Sequence, residues 1–157
     1  MMHAVNAQLM CPKEQHLEEM LTWFTDKQAL FDWAGPNFRY PYSLTSFSED
    51  LALSKLASFS LVSDTHQLIG FGQFYRRIDR CHLGRIVISP KWRGKGFAKI
   101  LIEQLNAKGL KTLNVGQSSL FVLSHNHQAI YTYRKLGFVQ SDYPEAIPLK
   151  DCFYMTK

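Results

Sequence analysis

Two stretches of the sequence hold residue types at spacings that could do chemistry. The first is Ile86-Val-Ile-Ser-Pro-Lys-Trp-Arg-Gly-Lys-Gly-Phe-Ala98. An apolar run ends at Pro90, a glycine-bearing loop follows, and an apolar helical pattern opens after it. Glycine lets backbone approach a ligand closely. Free N–H groups and the positive dipole end at a helix start favour an anion. Lys91, Arg93, Lys95 and Lys99 place four cations in nine residues with no acid among them. The spacing is neither that of a Walker loop nor Gly-x-Gly-x-x-Gly, because Gly94 and Gly96 have no third glycine at 99. The second stretch is Asn126-His-Gln-Ala-Ile-Tyr-Thr-Tyr-Arg-Lys-Leu-Gly-Phe138. Asn126 can cap a helix that Gly137 ends, and Tyr133 offers that helix a hydroxyl.

The elements that must position these residues follow from periodicity and turn chemistry. Alternation predicts a first strand over 4–10. Leu17, Met20, Leu21 and Phe24 share a helical face after Pro12. Residues 33–42 form an aromatic loop broken by glycine and proline. Ser46 and Glu49 form a capping box for a helix running to about Ser58. Strands are expected over 59–63, 68–78 and 82–88, with turns at 64–67 and 79–80. Ala98, Leu101, Ile102 and Leu105 then define a helix that ends at Gly109 or continues to Gly116. A strand at 120–123, a helix at 127–136 and strands at 138–141 and 152–155 complete the chain. Antiparallel strands followed by βαβ units imply an α+β sandwich with a mixed sheet.

The 157 residues, 46% apolar and 20% charged, suit one domain over 1–157. No apolar run reaches the ~20 residues of a membrane span, and the first fifteen residues do not read as a secretory signal. Cys11, Cys81 and Cys152 are too few and too widely spaced for a disulfide framework or a metal cluster, so a cytoplasmic, metal-free protein is expected. The net charge of +5 divides unevenly. Residues 1–82 carry 7 Lys/Arg against 9 Asp/Glu; residues 83–157 carry 11 against 4. The second half suits a polyanion, the first a neutral or cationic partner. Nucleic acid is disfavoured as that polyanion, since the basic run at 91–99 interleaves only Trp92 and Phe97 as stacking surfaces.

Together the two stretches resemble the GNAT superfamily of N-acetyltransferases. Arg93, Gly96 and Ala98 match its acetyl-CoA loop, Arg/Gln-x-x-Gly-x-Gly/Ala. Asn126, Tyr133, Gly137 and Phe138 match its later motif, Asn-x6-Tyr-x3-Gly-Phe. The resemblance implies a GNAT-like sheet, mostly antiparallel and flanked by helices, in which two strands splay to form the acetyl-CoA cleft. Pantetheine would pair with backbone of Ile86, Val87 and Ile88. Pyrophosphate would rest on Arg93, Gly94, Lys95, Gly96, Phe97 and Ala98, with Asn126 nearby.

It further implies direct acetyl transfer to a primary amine of a small molecule or a peptide or protein N-terminus, with the Ile88 N–H as an oxyanion donor and Tyr133 as the acid. His82 stands near the place where relatives carry a glutamate base, and strand alternation would put it on one face with Gly84, Ile86 and Ile88. An ordered water chain is the other candidate for the base. Trp33, Phe38, Tyr40, Tyr42 and Phe74 would line the acceptor groove, where Asp32, Glu49 and Asp50 could draw a cationic amine. The protein would act as a monomer or homodimer. A module that binds acyl-CoA without transferring it is the alternative.

Overall fold

A computed structural model describes residues 5–157. A seven-stranded sheet runs in the order β1-β2-β3-β4-β5-β7-β6. Its strands are β1 (Ala7–Met10), β2 (Ala57–Ser63), β3 (Leu68–Arg77), β4 (Arg80–Ile88), β5 (Ser118–Leu123), β6 (Val139–Ser141) and β7 (Cys152–Thr156). The helices are α1 (Glu14–Met20), α2 (Lys27–Ala34), α3 (Leu44–Asp50), α4 (Phe97–Leu113) and α5 (His127–Lys135), with a 3₁₀ turn at Pro90–Trp92. Among the described residues only β4 and β5 pair in parallel; the other neighbours are antiparallel. The α+β mixed sheet is therefore as expected. Ala4, placed in the first strand by its sequence pattern, lies outside the described residues.

Helices cover both faces of the sheet. Leu17 and Met20 of α1, Leu30 of α2 and Phe47 of α3 pack with Phe71 and Val87 on one face. On the other, α4 and α5 bring Ile102, Leu105 and Ile130 onto Phe74, Leu83, Leu120 and Met155. Each such fully buried side chain is worth about 1.5–3 kcal/mol relative to exposure. Helix α4 runs through Gly109 and ends at Asn114 in the left-handed region. Gly109 is there for space, since a Cβ would lie 2.3 Å from Cys81 Sγ and 3.2 Å from the Phe74 ring.

Three local readings are corrected. Residues 33–34 are helical rather than loop: α2 is capped by Asp26, whose carboxylate accepts from the Ala29 N–H at 2.8 Å. The stack of Trp33 on Phe24, 4.4 Å between centroids, fixes this helix through a tertiary contact that periodicity does not reveal. The box starting α3 is Ser43 with Ser46, three residues before the expected one, and the helix ends at Asp50 rather than near Ser58.

The third correction is a bulge in β4. Gln73 pairs with Gly84 and Phe71 with Val87, so Arg85 and Ile86 together face Gly72. Arg85 takes φ 50 to make the step. The step inverts the alternation: His82 and Gly84 share a face with Val87, whereas Ile86 and Ile88 point toward α4 beside Gly72 and Gly70.

Candidate active site

Strands β4 and β5 stay together for three residue pairs only: Cys81 with Ser118, His82 with Ser119 and Leu83 with Leu120. Beyond Leu83 they part, and β4 has no partner strand on its β5 side from Gly84 to Ile88. Two cavities occupy the opening. One, of about 900 Å³, is walled by Ile86–Ile88, by the loop and first turns of α4, and by the inner face of α5. The other, of about 220 Å³, lies between α2, the bulge of β4 and the end of β5. Both are lined by Ile86, Asn126 and Tyr133, so they meet at those residues.

The larger cavity is built for an anion. Gly94 and Gly96 have φ of 74 and 85, and nothing lies within 4 Å of where a Cβ would be. Their role is conformational: they turn the loop so that the uncapped start of α4 faces the cavity. Arg93 Nε donates to the Ile88 carbonyl at 3.0 Å and ties the loop to the end of β4. Arg93, Lys99 and Lys135 line the space and no carboxylate does. The donor set therefore fits a polyphosphate on a long, partly apolar tail, which suits CoA. Asn126 caps α5 through the Ala129 N–H at 3.2 Å and so places Tyr133 two turns further on.

At the junction, the Tyr133 ring is partly exposed, while burial pushes its hydroxyl pKa up to about 12. The hydroxyl stays protonated at neutral pH and so keeps a proton to donate. His82 lines the smaller cavity but is 2% exposed, packed edge-on against Phe121 at 4.7 Å, with Nδ1 2.9 Å from Ser119 Oγ. Burial, then the nearby Arg77 charge, lowers its pKa to about 3. The ring is neutral and a weak base, unlike the near-neutral base expected from its residue type. Asp32 also lines this cavity, held by Gln28 Nε2 at 2.8 Å and facing His125 Nε2 at 3.6 Å. Glu49 and Asp50 are instead clamped on Arg39 at 3.3 and 3.0 Å.

The family model described as "Acetyltransferase (GNAT) family" matches residues 27–138, well over half of the chain. The chain belongs to this family. Spermidine N(1)-acetyltransferase of Escherichia coli is 35% identical over 72 residues, 46% of this chain and 37% of that protein. The ribosomal protein bS18-alanine N-acetyltransferase of Haemophilus influenzae is 32% identical over 83 residues, 50% of this chain and 53% of that protein. The matched stretches thus span about half or less of these relatives. A crystal structure of spermidine N-acetyltransferase from Vibrio cholerae, in complex with CoA and spermine, superposes with TM-score 0.74 at 22% identity, covering 96% of this chain and 94% of that one. The ribosomal-protein-S18-alanine N-acetyltransferase of Escherichia coli gives 0.67 at 20% identity, covering 96% and 92%. At these identities the structures establish the shared fold.

Of the residues singled out in the sequence, Ile86, Val87, Ile88, Arg93, Gly94, Gly96, Phe97, Ala98, Asn126 and Tyr133 line the larger cavity of this GNAT-family chain. Lys95 does not; its ammonium sits 5.4 Å over the Trp92 ring. Of the expected acceptor aromatics, only Trp33 lines the smaller cavity. Phe74 points to the α4 side, stacked on Phe59 at 5.7 Å. Phe38 is core, edge-on to Trp33 and Phe47. Tyr40 is 41% exposed and packs on Tyr42, away from both cavities. Tyr42 itself packs on Phe47 and donates to the Leu21 carbonyl. The sequence reading missed Arg85, Tyr75, Phe121 and Lys135. Arg85 carried a signal, a charge set directly before the apolar run Ile86–Ile88 of its strand. Among the described residues no group of three or more His, Cys, Asp or Glu is placed to hold a metal, and no helix is long and apolar enough to cross a membrane.

Proposed function

We propose that this chain transfers an acetyl group from acetyl-CoA directly to a primary amine. The observation that carries the reading is the meeting of the two cavities at Tyr133, one cationic and long, the other small and bordered by Asp32. Acetyl-CoA supplies an activated thioester carbonyl, which the free amine attacks. Backbone of Ile86, Val87 and Ile88, without a β5 partner, is available to pantetheine amides. The N–H groups of 94–98 and the cations Arg93 and Lys99 take the phosphates. The Ile88 N–H is our candidate donor to the tetrahedral oxyanion.

Tyr133 faces the departing sulfur as a hydrogen-bond donor. Proton transfer from a phenol of pKa about 12 to a thiolate of about 8.5 is uphill, so the hydroxyl stabilises the developing charge rather than discharging it completely. An alkyl ammonium of pKa about 10 must first lose a proton. With His82 so weak a base, water carries that proton away in this reading, and His82 shapes the wall. Three free cysteines, two of them buried, are consistent with action in the reducing cytoplasm.

The test is release of free CoA thiol from acetyl-CoA across an amine panel, alongside acetyl-CoA affinity. Turnover with at least one amine is expected. Tight binding of acetyl-CoA with no turnover of any amine would favour a module that senses acyl-CoA.

A further inference from the structure

Four buried side-chain polar atoms among the described residues have no hydrogen-bond partner, and two of them, Trp33 Nε1 and Arg85 Nε, belong to residues that line the smaller cavity. Both are donors with no capacity to accept. An unpartnered buried donor is expensive, and native structures keep few of them. Two of the four thus belong to residues of one cavity, and a ligand there that brings acceptors would relieve them once their side chains turn toward it.

The charge at Arg85 calls for the same ligand. The guanidinium is half-buried and has no carboxylate within 4.0 Å; the nearby Asp50 is held by Arg39. What fixes Arg85 is neutral: Nη1 donates to Gln73 Oε1 at 2.9 Å, and the guanidinium carbon lies 5.1 Å over the Phe38 ring. Gln73 is itself locked, donating to the Leu51 carbonyl at 2.7 Å and to Ser58 Oγ at 2.8 Å. The left-handed bulge at Arg85 adds strain that an ordinary strand would avoid. The side chain is thus held in place with no carboxylate in contact, Asp50 acting on its charge only from beyond 4.0 Å.

We infer that the amine acceptor carries a carboxylate, taken by the Arg85 guanidinium with the Trp33 N–H beside it: a free amino acid or a similarly small amino-carboxylate. This rests on the acetyl-transfer reading and names the substrate class of the same site. Asp32, also on the wall, suits the ammonium end of such a zwitterion. The volume of about 220 Å³ lies below the ~300–1,000 Å³ of sites for drug-sized ligands. An arginine fork pairs with a carboxylate through two parallel bonds. A polyamine, having donors and positive charge alone, would leave Arg85 and Trp33 unmatched.

The experiment is calorimetric titration of the CoA-saturated protein with glycine, β-alanine, the proteinogenic L-amino acids, their carboxamides and spermidine, with thiol release from acetyl-CoA followed in parallel. At least one amino acid should bind, and its carboxamide should bind at least about 30-fold more weakly. Arg85→Gln should bring acid and amide to within about threefold of each other, and Trp33→Phe, which keeps the stacking and removes the N–H, should weaken the acid selectively. If Arg85→Gln does not fold, the acid-to-amide ratio of the unaltered protein and the Trp33→Phe variant decide alone. Equal binding of acid and amide, or binding of spermidine with no amino acid bound, overturns the inference. Selective amino-acid binding without thiol release upholds it and overturns the transfer reading; turnover of spermidine alone does the reverse.

Discussion

Placing a carboxylate at Gly96 separates the anion-site assignment from simple folding. Gly96 precedes α4 at φ 85, ψ 7, with open space where a Cβ would stand. Gly96→Asp therefore meets no clash. It takes on left-handed strain of about 1–2 kcal/mol, offset by about 0.3–1 kcal/mol from a negative charge at the helix start. The net stability loss should be about 1 kcal/mol. Binding should suffer more. Two like charges about 5 Å apart repel by roughly 1 kcal/mol in water and 3 kcal/mol at an effective dielectric of 20, and a pyrophosphate presents two. A penalty of at least about 2 kcal/mol raises the CoA dissociation constant by at least about 30-fold. Gly96→Ala shares the strain without the charge and should lose much less. At about 1 M salt, where screening acts over about 3 Å, the Asp defect should shrink and the Ala defect should not. Calorimetric CoA affinities with urea denaturation as the folding control give all these quantities. An unchanged CoA affinity in a folded Gly96→Asp protein would refute the placement of phosphate at this loop.

Three further outcomes are expected. Tyr133→Phe should slow thiol release by about 10²-fold with little change in acetyl-CoA affinity; a rate equal to the parent's, where chemistry is limiting, would leave the hydroxyl without a part in transfer. Because His82 titrates at about 3 in the folded chain, against 6.5 for a free histidine side chain, the unfolded chain binds the extra proton between those values. Stability should be full above pH 6.5 and fall toward pH 3, by on the order of a few kcal/mol, and His82→Gln should flatten that dependence in urea titrations. Gly109→Ala should destabilise the fold by about 1–3 kcal/mol through overpacking despite alanine's better helix propensity; adding Cys81→Ala removes the sulfur 2.3 Å from the new methyl and should restore part of the loss.

The anion loop and the α5 motif were legible because each is local: a strand end, glycines at positive φ, a capping asparagine and a closing Gly137 need only a dozen neighbouring residues. What escaped the sequence depends on contacts between distant segments. The bulge at Arg85–Ile86 exists only against Gly72 of β3, so plain alternation put Ile86 and Ile88 on the wrong face. The same kind of ambiguity made acceptor residues of Phe38 and Phe74, whose aromatic character suits a core as well as a groove. His82 was recognised by residue type, but its proton affinity depends on Phe121, Ser119 and Arg77, which only the fold brings near. Helix α2 escaped because its eight residues stop at Gly35-Pro36, the breaker that drew Trp33 and Ala34 into the expected loop.

The two cavities meet at Tyr133, and in the proposed reaction an acetyl group passes from one to the other. This transfer is tested most directly by incubating the protein with acetyl-CoA and an acceptor amine, then determining the amine's mass and counting released thiol in the same sample. One acetyl group on nitrogen is expected for each thiol released, with both signals depressed together in Tyr133→Phe. Thiol release with the amine left unmodified would mean the acetyl group reaches water instead, and would refute transfer from one cavity to the other.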